Sequence, residues 1–171
     1  MNEAISRAFQ IAMFNRRAAR QVSLDTSATG DAVLLVAAIE AFVALAFAVG
    51  QGGFSLSIFV ESVILGVASW LIHSAAIWLM GTKLLKGSAS IDAMFRASGF
   101  ARLPLLLAAI DAFVGGRLFG QIGLVWYLAL LVIVTGVALG IDWKEALGAV
   151  VLGTAVVLLL QLIFRTSFFR I

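Results

Sequence analysis

Four ionisable side chains, Glu40, Glu61, His73 and Asp111, sit inside strongly apolar stretches of the chain. A charge at the centre of a bilayer costs about 2.5–3.5 kcal/mol on insertion scales. Each of these groups must therefore be neutral, paired or facing water. Two chemistries are open to them. Glu40 and His73, on successive apolar runs, are placed to meet if those runs lie side by side and antiparallel, and such a pair relays protons or binds a cation. The same pair equally well hydrogen-bonds two helices together, which is worth about 0.6–2 kcal/mol. A relay needs more members than one pair, so helix bonding is the preferred reading. Asp111, Arg117 and Glu61 form a second group toward the opposite end, expected to be a structural charge cluster rather than a transport site.

Other chemistry is poorly supplied. Ser74 is adjacent to the only histidine, but neighbours on a helix point to different faces, and nothing provides an oxyanion hole. Phosphate-cradling glycine loops of the Walker or dinucleotide type do not occur. With no cysteine, one histidine and nine dispersed carboxylates, no metal site and no cofactor are expected. The net charge is +3, yet the basic residues fall between apolar runs and form no stripe for nucleic acid. No catalytic residues are assigned.

The elements that carry these groups are read from composition. Hydrophobic residues make up 63% of the chain and charged ones 12%, against about 25% charged in soluble domains. Five apolar runs cover Ala32–Val49, Ser57–Met80, Leu103–Val114, Ile122–Leu139 and Ala146–Phe164. They are apolar around their whole circumference, and an open sheet cannot satisfy its backbone in lipid. The expected fold is an all-α integral membrane bundle of about five helices over residues 31–165, after a basic cytosolic segment 1–30 and before a short tail 166–171. Thr29 and Asp31 offer capping oxygens to the first run, and Pro104 is tolerated in the first turn of the third. That third run is short, about 18 Å at 1.5 Å per residue, against a core of about 30 Å. It reads as a short crossing or a re-entrant segment.

Segment 1–30 lacks a compact apolar core, so it is not read as a secretory signal peptide, and Glu3 and Asp25 weigh against a targeting peptide. Ile5, Phe9, Ala12 and Met13 recur at helical spacing, with Ile11 and Phe14 off that stripe. Arg7, Arg16, Arg17 and Arg20 are the residues expected to meet anionic lipid or an acidic partner surface. Two small-xxx-small matches, Gly116–Gly120 and Gly136–Gly140, are common by chance in a chain with 16 glycines and are given no packing role. Trp70, Trp78, Trp126 and Trp143 include expected interface anchors.

Three segments carry a family resemblance. The stretch Phe95-Arg96-Ala97-Ser98-Gly99-Phe100-Ala101-Arg102-Leu103-Pro104-Leu105-Leu106 resembles the entry to the third helix of Yip-type (Ypt/Rab-interacting protein) membrane domains. Val125-Trp126 and the turn Gly140-Ile141-Asp142-Trp143-Lys144-Glu145-Ala146 are similar to the opening of the fourth helix and the passage into the fifth. The resemblance covers about residues 30–165 and favours five full crossings. It implies a non-enzymatic protein that organises membranes, binds partners or serves as an accessory subunit. Eukaryotic members are linked to membrane traffic and Rab-type GTPases; the short N-terminal segment here departs from any large docking region. A small transporter or channel using Glu40, His73 and Asp111 is the alternative, and a membrane enzyme ranks third. The expected partners are the bilayer and a membrane protein or a second copy, and the expected location is the inner membrane of a bacterium.

Lysine and arginine placement sets the orientation. With five crossings, Arg7, Arg16, Arg17, Arg20, Lys83, Lys86, Arg96, Arg102 and Lys144 share one side, and Arg117, Arg165 and Arg170 the other. Reporter fusions at residues 20, 50–56 and 171 are therefore expected to report cytosolic, external and external positions. An external N-terminus would reverse the orientation, and a cytosolic C-terminus would remove one crossing.

Overall fold

A computed structural model describes residues 2–50 and 52–164. Arg165, Arg170 and the 166–171 tail lie outside the described residues. Two short helices, α1 (Asn2–Ala12) and α2 (Arg16–Leu24), precede α3 (Ala28–Gly50) and α4 (Leu56–Lys83). The third crossing is composite: α5 (Ile91–Phe100), a 3-10 segment (Leu103–Leu107) and α6 (Ala108–Val114). The chain finishes with α7 (Leu118–Leu139) and α8 (Trp143–Phe164). Five spans are long and apolar enough to cross a membrane.

The third span answers the length problem. It starts at Ile91 rather than Leu103 and covers 24 residues, about 36 Å at α-helical rise. Residues 91–102 read as a polar loop because they contain Asp92, Arg96 and Arg102. In the folded chain α5 is the most enclosed helix, packed on α2, α3, α4 and α7. Pro104 explains the break. Its ring removes an N–H and clashes with the carbonyl four residues back, Phe100, which is where α5 ends. The chain continues as a 3-10 turn and then resumes α-helix.

Buried stripes place the other spans. In α3 the stripe is Ala28, Ala32, Val36, Ile39 and Ala46; in α4 it runs from Gly66 through Trp70, His73 and Ile77 to Gly81. Both repeat at helical spacing. Remaining large residues, such as Phe42, Leu45, Ile58 and Leu162, are exposed, as lipid-facing positions must be. Helix α3 begins four residues earlier than expected. Thr29 and Asp31 lie in its first turn and do not cap it; Asp25 does the preceding work, accepting from the backbone N–H of Ser27 at 3.1 Å.

Residues 2–24 are part of the bundle, not a separate appendage. Ala8, Ile11, Ala18, Ala19 and Val22 belong to the same core as Met94, Phe100 and Leu130. Of the stripe Ile5, Phe9, Ala12 and Met13, only Ala12 faces in, with Ala4, Ala8 and Ile11, and the three larger residues point outward. Small size decides this, because α1 lies close against its neighbours. The turn to α2 closes on Phe14, which takes φ 61°. Its N–H donates to Ile11 at 2.8 Å and that of Asn15 to Gln10 at 3.1 Å, the bond pair of a Schellman cap usually built on glycine. Asn15 then caps α2 through the N–H groups of Arg17 and Ala18. The resulting hairpin is tied at its open end by Arg7, which donates to Asp25 at 2.7 Å. The Ser27 hydroxyl, followed by Arg7, holds the Asp25 carboxyl down at about 2.

Glycines set the closest helix approach, but not those of the two small-xxx-small matches. Gly140 is the left-handed cap of α7 and Gly116 lies in a turn. At Gly153 of α8, a Cβ would sit 2.8 Å from the backbone nitrogen of Ile77. No side-chain rotation relieves a backbone clash, so Gly153→Ala must push α8 off α4. The expected loss is about 1–3 kcal/mol, the usual range for overpacking. Gly148→Ala, whose Cβ would meet only the Leu85 methyl at 3.6 Å, should leave thermal stability in detergent unchanged. Equal melting temperatures for the two variants would refute this packing.

Candidate functional site

Of the four ionisable groups singled out inside the apolar runs, Glu40, His73 and Asp111 are engaged locally and Glu61 is not. Glu40 accepts a hydrogen bond from Arg102 at 2.5 Å, and both side chains are largely buried, 21% and 8% exposed. The two come level because α3 and α5 run in the same direction. Glu40 is twelve residues past Ala28 and Arg102 eleven past Ile91, depths of about 18 and 16 Å. This is close to the bilayer centre. The Arg102 guanidinium also lies 5.7 Å from the centre of the Tyr127 ring, a cation–π distance. Gly66 of α4 makes room for the pair, since any Cβ there would overlap the Glu40 carboxylate.

The expected contact between Glu40 and His73 is not made. Helices α3 and α4 do pack together, but His73 turns toward α8 and shares a hydrogen bond of 2.9 Å with Thr154. Arg102 takes its place because the α-helix carries through residues that read as loop. Ser74 is engaged with Ser98 at 2.7 Å, and Ser98 also accepts from the Trp70 indole at 2.9 Å. This buried knot ties α4 to α5.

The expected cluster of Asp111, Arg117 and Glu61 is also not formed. Asp111 is buried and accepts from the backbone N–H groups of Phe119 and Gly120 at 3.0 and 2.7 Å. It caps the N-terminus of α7 from the preceding helix, meeting orphan donors with a negative charge that suits the helix dipole. Arg117 and Glu61 are exposed, and among the described residues they form no ion pair with Asp111 or with each other. Glu61 is the exception to local engagement.

A second site lies at the end of the bundle that carries Lys83, Lys86 and Lys144, hereafter the basic end. A cavity of about 760 Å³ opens there between α2, α5 and α7. Arg16, Arg17, Arg20 and Arg96 line it, with no carboxylate in its wall. The three α2 arginines are exposed at its mouth, whereas Arg96 is buried, 5% exposed. Arg96 donates to the Ser23 carbonyl at 2.8 Å and to the Thr29 hydroxyl at 3.1 Å. Arg7 does not join this group, being paired with Glu3 and Asp25. Of the tryptophans, Trp143 lines the cavity with 61% of its surface exposed, while Trp70 is core. Trp126 donates to the Ala12 carbonyl at 3.0 Å and so fastens α1 to α7. Sequence reasoning found three of the four arginines. It missed the role of Arg96, whose signal was its position one turn inside a helix that reads as loop. No group of three metal-ligating side chains is present among the described residues.

The family model described as the Yip1 domain matches residues 10–165, from the end of α1 to the end of α8. No curated protein and no solved structure matches the chain.

Removing one partner of a buried ion pair leaves the other charge uncompensated and costs about 3–5 kcal/mol, whereas replacing both by apolar residues is often neutral. Glu40→Met is therefore expected to destabilise the bundle strongly. Glu40→Gln should do so as well, since an amide leaves the Arg102 charge unbalanced. The double variant Glu40→Met with Arg102→Met should recover most of the loss. Thermal unfolding in detergent checks all three, and additive losses in the double variant would show that the pair is not coupled.

Proposed function

Since the chain belongs to the Yip1-domain family of membrane proteins, we propose that it acts without catalysis, as a membrane-embedded partner-binding or accessory protein that presents its basic end to the cytosol. The single observation that carries this reading is the way the intramembrane charges are used. Glu40 is engaged by Arg102, Asp111 by the start of α7, and His73 by Thr154. A proton or cation carrier needs groups that exchange partners along a path. Here each of the three groups joins two elements of the bundle and rigidifies it.

The orientation follows from charge. With Arg96 and Arg102 moved into the protein interior, Arg16, Arg17, Arg20, Lys83, Lys86 and Lys144 still gather at one end, against Arg117 among the described residues at the other. The positive-inside bias puts that basic end in the cytosol. A membrane protein or a second copy is the partner, engaged through lipid-facing helix surfaces and the basic end; the inner membrane of a bacterium is the proposed location. Residues 2–24 pack into the core, so that segment is not a free docking arm.

Reconstitution and crosslinking test the reading together. The parent protein in liposomes should give proton and cation flux no higher than protein-free vesicles. Photocrosslinkers at Lys86 and Asp142, exposed at the basic end, should capture a discrete protein in native membranes, and one at Arg117 should not. Flux that disappears in a folded Glu40→Gln variant would replace this reading by the transporter.

A further inference from the structure

Arg96 presents an unusual electrostatic situation. It is buried, and its guanidinium touches only neutral oxygens, those of Ser23 and Thr29. Its Nε, also buried, has no hydrogen-bond partner among the described residues. Arg102, the other buried arginine, has Glu40. A buried charge without a counter-charge is costly, and Arg96 lines a cavity whose wall adds three more guanidinium groups and no acid. The hydroxyls of Ser88 and Ser90 add donors beside them. Such a chamber is complementary to an anion with several oxygens, and arginine's planar fork suits phosphate in particular.

The anion is set in context by what lies next to it. Val132 of α7 lines the cavity and also lines a second groove, about 480 Å³, between α7 and α8. That groove is walled by Leu128, Val150, Val151 and Leu158 among others and is almost wholly apolar. It follows α8 from Leu147 to Leu158, about 16 Å along the axis and directed away from the basic end toward the bilayer centre. Arg96 lies about 8 Å inside the start of α5, on the basic-end side of the Glu40–Arg102 layer. A basic chamber on that side of the bundle thus adjoins an apolar groove running toward the bilayer centre.

The geometry points to a bound anionic phospholipid, its phosphate held by Arg96, Arg17 and Arg20 and one acyl chain laid between α7 and α8. Basic pockets between spans on the cytosolic side are where anionic lipids are recognised. The lipid would act as a structural ligand that joins α2 to the α7–α8 edge. This inference stands apart from the partner-binding proposal, because it needs only the two cavities and the charge of their lining.

The test uses the full chain purified in a neutral detergent, with lipid retention read by native mass spectrometry. Phosphatidylglycerol is expected to be retained at least tenfold better than phosphatidylcholine. The double variant Arg17→Gln with Arg20→Gln, at exposed positions that leave the core untouched, should lose most of that preference. Val151→Phe, in the groove but not in the wall of the arginine cavity, should narrow the groove and weaken phosphatidylglycerol without changing the binding of glycerol 3-phosphate. Equal retention of the two lipids would overturn the proposal, as would a preference that survives the double variant. Full competition by glycerol 3-phosphate, with no effect of Val151→Phe, would show a free-anion site and also overturn it. Displacement of the lipid by an equal concentration of a polyglutamate peptide would assign the chamber to an acidic protein instead.

Discussion

The ion pair between Glu40 and Arg102 constrains everything around it. A bilayer interior offers neither group water, so α3 and the third span must lie side by side, in the same direction and in matched register. Bringing them together requires α4 to yield space, which Gly66 does, and requires an aromatic face for the guanidinium, which Tyr127 of α7 supplies. Four of the five spans are thereby referred to one point near the bilayer centre. The fifth, α8, is set against α4 by Gly153 and by the hydrogen bond from Thr154 to His73. The level of this layer is also where the third span changes from α-helix to 3-10, immediately before Pro104. Arg102 therefore sits where helical geometry is already loosened, and its side chain has freedom to reach α3.

The two ends of the protein differ in kind. The end near Asp111 is closed by backbone capping and short turns, with exposed apolar residues such as Phe54, Phe113 and Leu118 around them. The basic end is built from three layers: the hairpin of α1 and α2, the loop before α5, and the turn from α7 into α8. Its loop is held by ordinary bonds, including Trp78 to the Ala89 carbonyl at 2.9 Å and Ser88 to the Leu139 carbonyl at 3.0 Å. Its charge is less balanced, because guanidinium groups outnumber carboxylates in the chamber between these layers. The family relationship fits a protein whose distinguishing surface lies at one membrane face.

Apolar composition made the membrane class and the five-span layout readable from the residues alone, because lipid imposes a length and a circumference that few other settings require. Particular charges were harder. Arg96 and Arg102 read as loop residues since hydropathy weighs each side chain as if it faced solvent, and a buried arginine whose charge is met inside the fold carries no mark in composition. Asp111 reads as a partner of Arg117 and Glu61, but its partners are backbone N–H groups of Phe119 and Gly120, which no residue type announces. The helical spacing of Ile5, Phe9 and Met13 does not say which way they face; they turn outward, and the smaller Ala4 and Ala8 take the inner face. The segment Phe95–Leu106, by contrast, carried its family character openly, since its small residues, arginines and proline are the parts that shape the centre of the bundle.

The N-terminal hairpin is made before the helices that bury it. Residues 2–24 leave the ribosome before any span, yet the surfaces that bury Ala8, Ile11, Ala18 and Val22 come from α5 and α7, which end at residues 100 and 139. Until those helices exist, the hairpin has only α3 and the membrane surface to rest on, and its outward Phe9, Met13 and Phe14 with neighbouring arginines suit that wait. Docking of the hairpin then coincides with the arrival of the fourth span. The order of synthesis thus turns α1 and α2 into a latch that closes only on a nearly finished bundle.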